Sequence, residues 1–176
     1  GIGTTNPAAP LHVDGRIRVT GLGRSVFIGE DAGLVDNLTD NDNTFVGYYA
    51  GKSNTSGAFN TSFGSEALRD NISTSGNTAM GYRSMANNKG NYNTAYGSIS
   101  LYSNKTGVYN VAVGEETSYA NSSGGYNTAV GALSMYNNTA SNNTGVGYYA
   151  LRNKQGGDNN TALGYRAGEG ASVGTY

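Results

Sequence analysis

Large apolar, small and polar positions recur along this chain with a beat of nearly seventeen residues. The clearest unit is Asn127-Thr128-Ala129-Val130-Gly131, a fixed order of polar, small and large apolar residues closed by glycine. The same order appears at Asn43–Gly47, Asn60–Gly64 and Asn77–Gly81 and continues from Asn93, Asn110, Asn143 and Asn160, after a degenerate first copy, Ser25–Gly29. The closing glycines are Gly29, Gly47, Gly64, Gly81, Gly97, Gly114, Gly131, Gly147 and Gly164, spaced by 18, 17, 17, 16, 17, 17, 16 and 17 residues. A period held that tightly is the signature of a solenoid or repeat array. Residues 25–176 therefore read as an array of about nine units, and residues 1–24, turn-rich and with a short strand pair around Asp14-Gly15, as an N-terminal cap or connector.

Within each unit the residue before the glycine is large and apolar (Ile28, Val46, Phe63, Met80, Tyr96, Val113, Val130, Val146, Leu163). Two residues earlier stands Thr or Val. In a strand these two columns share one face, while the asparagine and a small residue such as Ala79, Ala95, Ala112, Ala129 or Ala162 share the other. The pairs Ala67-Leu68, Ser84-Met85, Ser100-Leu101, Ser134-Met135 and Ala150-Leu151 predict a second short strand, since glycine and asparagine interrupt every helical window. A second asparagine column, Asn54, Asn71, Asn88, Asn104, Asn121 and Asn138, follows the first by 11 residues, which confines the length variation to one external loop. Both columns predict corners, because asparagine tolerates left-handed backbone. Their stacked amides are expected to hydrogen-bond from coil to coil. Nine coils at sheet spacing predict a rod of about 40 Å. So small a coil encloses little volume, so the alanine face is expected to be buried against identical chains around an axis. The interchange of Thr with Val26 and Val111 reads as an interior position.

Composition supports stacking in one dimension. Hydrophobic content is 36% and charge 13%, with 28 glycines and 14 tyrosines, too little for a broad globular core. The net charge of −1 and the scattering of the 11 basic residues argue against nucleic acid or an anionic membrane as partner. Without cysteine there are no disulfides or thiolate metal sites, and no apolar run reaches the length of a membrane span. A start at Gly1 without methionine reads as a piece of a longer protein.

Candidate chemistry is sparse. His12, the sole histidine, lies in the cap without an adjacent nucleophile. Asp36, Asp40 and Asp42, with Asn37 and Asn41 between them, offer oxygen ligands but lack calcium-loop spacing and occur once, so a polar loop is expected there. Gly1-Ile2-Gly3 and Gly21-Leu22-Gly23 lack the third glycine of a nucleotide loop. No enzyme activity, cofactor or metal is predicted. Tyr102, Tyr119 and Tyr136 form one column, and Phe59, Tyr92, Tyr109 and Tyr126 another; ring stacking between coils is expected, with a sugar-binding strip as the rival. An ice-binding threonine ladder is the weaker reading because Val46, Phe63, Val113 and Val130 share its face.

Ser25-Val26-Phe27-Ile28-Gly29 and Asn110-Val111-Ala112-Val113-Gly114 resemble the S-V-A-I-G head repeats of trimeric autotransporter adhesins of the YadA type. The N-T-A-V-G-x-x-A-L form with N-x-x-T-G loops is more similar to repeats of phage tail-fibre proteins and related bacterial surface fibres, over residues 25–168. The unit here is longer than the adhesin repeat, and threonine usually replaces its valine. The resemblance implies a trimeric, left-handed parallel β-roll or β-helix outside the cell, on a virion tail fibre or a bacterial surface. The expected function is a rigid shaft with a host- or surface-binding role, its partners identical chains and a cell-surface glycan or receptor. The alternatives are a bacterial adhesin or self-assembling surface filament, and an ice- or glycan-binding solenoid. The asparagine and glycine columns would form its structural ladder, and the six tyrosines of the two columns its ligand-facing aromatics.

Overall fold

The computed structural model describes residues 24–170 apart from 38, 40, 154 and 155. His12, Asp40, both Gly-x-Gly segments and the expected strand pair around Asp14-Gly15 lie outside the described residues. Nine strands follow one another: β1 (Val26–Ile28), β2 (Thr44–Val46), β3 (Thr61–Phe63), β4 (Thr78–Met80), β5 (Thr94–Tyr96), β6 (Val111–Val113), β7 (Thr128–Val130), β8 (Thr144–Val146) and β9 (Thr161–Leu163). They form one parallel sheet in chain order, each residue over its equivalent, so that Val113 pairs with Val130 and Thr61 with Thr78. The result is an all-β solenoid of about eight turns, with no helix among the described residues.

The strand faces are the reverse of those expected. The middle residue of each strand points into its own coil: Ala79, Ala95, Ala112 and Ala129 are fully buried. They pack with Leu68, Met85 and Leu101, or with Met135, of the same chain. No second chain is needed to cover the alanines. The Thr column and the residue before the glycine point outward instead, and Ile28, Phe63, Tyr96 and Leu163 are each more than half exposed. The physical reason lies in volume. The coil has room for one large side chain opposite one small one, so a small residue faces inward wherever the turn supplies the bulk. Thr and Val interchange at 26 and 111 because both are β-branched and suit an outward pleat equally well.

The expected second strand is a run of turns. Alternate residues adopt the left-handed conformation, as at Glu66 (φ 57°) and Leu68 (φ 52°), Arg83 (φ 52°) and Met85 (φ 51°), or Leu133 (φ 57°) and Met135 (φ 49°). Their N–H groups alternate in use: Glu66 donates to Tyr48 O in the preceding coil (2.7 Å), Ala67 to Gly64 O within the turn (3.3 Å), and Leu68 to Ser84 O in the following coil (3.1 Å). A left-handed residue of this kind costs about 1–2 kcal/mol. Complete burial of Leu68, Met85 and Met135 offsets that cost by a similar or larger amount, about 1.5–3 kcal/mol each.

The cross-section is filled from either side. In coils four and five, Ala79 faces Met85 and Ala95 faces Leu101, whereas in coils one and two Phe27 faces Gly33 and Phe45 faces Gly51. A Cβ on Gly51 would lie 2.4 Å from the Phe45 ring, and one on Gly33 2.7 Å from Phe27. The two phenylalanines stack at 5.4 Å. In coil six both places are small, Ala112 and Ser118, and there the apolar core divides into two clusters, one ending at Ala112 and the other starting at Ala129.

Candidate functional site

The asparagine columns are two buried ladders. Each backbone N–H of the first column donates to the side-chain oxygen one coil back: Asn60 to Asn43 (2.9 Å), Asn77 to Asn60 (3.0 Å), Asn93 to Asn77 (3.0 Å) and Asn110 to Asn93 (2.9 Å). The series continues through Asn127 (3.0 Å), Asn143 (2.9 Å) and Asn160 (2.9 Å). In the second column the amides bond directly, Asn71 to Asn54 (3.2 Å), Asn104 to Asn88 (2.8 Å) and Asn121 to Asn104 (3.2 Å). At Gly57, Thr74, Gly107, Gly124 and Ala140 the two ladders converge on one loop carbonyl. Gly107 O accepts from Asn93 (3.0 Å) and Asn104 (2.7 Å), and Gly124 O from Asn110 (2.9 Å) and Asn121 (2.7 Å). The expected coil-to-coil amide bonds are present.

The asparagines of the two columns do not make the left-handed corners. That conformation falls on the residue before the first column: Phe59 (φ 58°), Tyr92 (φ 57°), Tyr109 (φ 55°), Tyr126 (φ 58°), Asn142 (φ 58°) and Asn159 (φ 61°). The inward amide requires an ordinary backbone at its own position, so its neighbour takes the turn. Asp36 closes the ladders at their first coil, accepting from Asn43 (3.2 Å) and Asn54 (3.0 Å). Asp42 pairs with Arg24 at 3.0 Å. The acidic segment is thus a ladder terminus, and the described residues hold no cluster of three or more metal-ligating side chains of the His, Cys, Asp or Glu type. The glycine column is set by close approach: a Cβ on Gly97 would stand 2.4 Å from Gly114 O, at a φ of 138° that L-residues avoid.

Both tyrosine columns stack. Tyr92–Tyr109 and Tyr109–Tyr126 have centroids 5.0 and 5.3 Å apart, Tyr102–Tyr119 and Tyr119–Tyr136 5.3 and 4.9 Å. Stacking consumes the ring faces, so the middle tyrosines present edges and hydroxyls outward. At Tyr109 and Tyr119 both flat surfaces that a sugar ring would use are occupied.

Two further aromatic groups escape the column reading. Tyr48 stacks on Tyr49 at 3.9 Å with Lys52 Nζ 3.6 Å from the Tyr49 ring centre. Tyr148 stacks on Tyr149 at 4.0 Å with the Arg152 guanidinium 4.2 Å from the Tyr149 ring. A hydrogen bond with Tyr49 pushes the Tyr48 phenol up to about 12. The signal was the repeated Tyr-Tyr-Ala-x-Lys/Arg of residues 48–52 and 148–152. Between them, Glu66 pairs with Arg69 (2.5 Å) and Arg83 (3.0 Å). The Arg83 hydrogen bond, followed by that of Arg69, holds the Glu66 carboxyl below the usual carboxylate range.

The outward strand face is exposed along the rod. It carries the Thr column and the large residues before the glycines, without a formal charge, through all nine strands. Met80 lies between the taller Phe63 and Tyr96 in an open groove of about 380 Å³. No helix among the described residues is long and apolar enough to cross a membrane. Comparison with known protein families, curated proteins and solved structures gives no match.

Proposed function

We propose that this chain is a rigid shaft segment of an extracellular fibre, of the phage tail-fibre or bacterial surface-fibre kind, whose identical copies associate as a homotrimer through the outward strand faces. The observation that carries this reading is the uncharged band of Thr and large apolar residues along the whole rod. Contiguous exposed apolar surface of that extent marks an interaction site. A partner must offer an apolar group at each strand spacing, about 4.8 Å, along the full length. A second copy of this chain has that period, and symmetric self-association is the commonest way for such a face to be covered. The work done is mechanical and adhesive: stacked coils supply stiffness, and loops and aromatic edges supply contact with a host receptor or glycan. Sedimentation equilibrium should give three chains per particle at micromolar concentration. A monomer at all accessible concentrations would sink the reading.

The outward threonines favour a second reading, ordered-water binding to ice, because the column is exposed and regularly spaced. Phe63, Tyr96 and Leu163 stand up beside it and spoil the flatness an ice plane requires. Thermal hysteresis abolished by Thr128→Lys would support this reading; its absence from the unaltered chain removes it.

A further inference from the structure

We infer that the copies pack parallel and level, the flank preceding each strand on one chain seated against the flank following the same strand on its neighbour. This rests on the self-association reading and specifies its geometry. Two columns border the outward face. The preceding flank, five residues before the glycine, is Asp42, Phe59, Gly76, Tyr92, Tyr109, Tyr126, Asn142 and Asn159 in coils two to nine. The following flank, one residue after the glycine, is Tyr48, Ser65, Tyr82, Ser98, Glu115, Ala132, Tyr148 and Tyr165. Every one of these coils has one aromatic flank and one that is not: Phe59 with Ser65, Tyr82 with Gly76, Tyr92 with Ser98, Tyr126 with Ala132, Tyr148 with Asn142. Coil one has Arg24 and Glu30 at these places and no aromatic, and four aromatics and four aromatics scattered at random over all nine coils avoid one another in about one arrangement in twenty-five, which makes coincidence a poor account.

The chain's own packing does not supply one either. The two flanks of a coil are six residues apart across an extended strand, up to about 20 Å. Stacked ring pairs run along a column, as in Tyr92–Tyr109–Tyr126 and Tyr148–Tyr165, rather than between the columns. Gly76 has an internal reason to be small, because a Cβ there would lie 2.5 Å from the Tyr92 ring; the other seven coils do not share it. All eight flank aromatics are between 43% and 70% exposed. Inside the coil the same device already operates, Phe45 facing Gly51 and Met85 facing Ala79, and it keeps the cross-section constant. Outside, a constant gap results when the preceding flank of one chain meets the following flank of the next at the same level. Close packing penalises both overlap and void, so the arrangement is selective. A shift of one coil sets Phe59 against Tyr82 and Tyr126 against Tyr148. Antiparallel pairing about coil five sets Tyr92 against Tyr92 and Phe59 against Tyr126.

The test exchanges the bulk within one coil. Ala132→Tyr alone puts two aromatics in coil seven, and Tyr126→Asn with Ala132→Tyr recreates the pattern of coil eight. Both residues occur naturally in those columns, so the backbone accommodates them, and circular dichroism melting checks that each variant folds. The single variant is expected to weaken association about tenfold or more, and the double variant to recover most of it. In addition, Tyr126→Cys and Ala132→Cys chains, mixed and treated with a short bis-maleimide, should cross-link to each other and not to themselves. An unaltered chain that stays monomeric overturns the self-association reading and this inference together. Association with a double variant no better than the single, or with 126-to-126 links, overturns the level, parallel packing alone.

Discussion

Coil two and coil four fill the same cross-section from opposite sides. In coil two the strand supplies the bulk, Phe45, and the turn supplies Gly51; in coil four the turn supplies Met85 and the strand Ala79. What is specified is therefore the sum across the coil, not the residue in either column. Coil six, with Ala112 and Ser118, falls short of that sum, and the core separates there into two clusters.

The comparison can be broken or sharpened by substitution. Phe45→Ala removes the bulk without replacement and is expected to cost about 3–5 kcal/mol in chemical denaturation. Adding Gly51→Leu converts coil two to the pattern of coil five and should recover most of the loss. If the pair is no more stable than the single variant, the two sides are not interchangeable. Asn110→Ala attacks the polar frame that both kinds of coil share. It strips the Asn127 N–H of its acceptor, while Gly124 O keeps its bond from Asn121, an expected loss of about 1–3 kcal/mol for the one unsatisfied group. A smaller effect of opposite sign is expected at the deficient coil. Ser118→Leu, at a left-handed position where Leu68 and Leu101 already sit, should join the two clusters and raise stability by about 1 kcal/mol. A fall in the denaturation midpoint would show that coil six is not underfilled. The smallest effect concerns charge outside the core. Arg83 and Arg69 lower the folded-state pKa of Glu66, so this pairing stabilises above the ordinary carboxylate pKa and is lost as pH falls through the depressed one. The unaltered chain should lose more stability than Glu66→Gln between about pH 5 and 2; parallel pH profiles would contradict it.

The period, the strand positions and the amide ladders were legible in the sequence because each is written by one residue recurring in place, as Asn110, Asn127 and Asn143 do. Which strand face is inward was not. Alternation of Ala112 with Val111 and Val113 distinguishes two faces without ranking them. The deciding partner is the Leu or Met four residues after the glycine, which resembles a strand residue in sequence but takes a left-handed turn. Gly33 and Gly51 stand in that column because Phe27 and Phe45 fill the coil from the opposite side. The Tyr92 column was legible as a run, whereas Tyr48, Tyr82 and Tyr148 were missed because their meaning lies in what the other flank lacks.

Coils of 16 and 17 residues end in the same hydrogen bonds. Asn104 Nδ2 reaches Gly107 O three residues on, whereas Asn88 reaches Gly90 O and Asn138 reaches Ala140 O only two residues on. One residue can thus be lost from the loop while the second ladder keeps its carbonyl, and at Ala140 O the Asn127 amide of the first ladder is kept as well. Sequence drift in the loops leaves the pitch alone, so gene duplication or deletion of whole units changes the reach of the molecule in even increments of about 4.8 Å, as links are added to or taken from a chain.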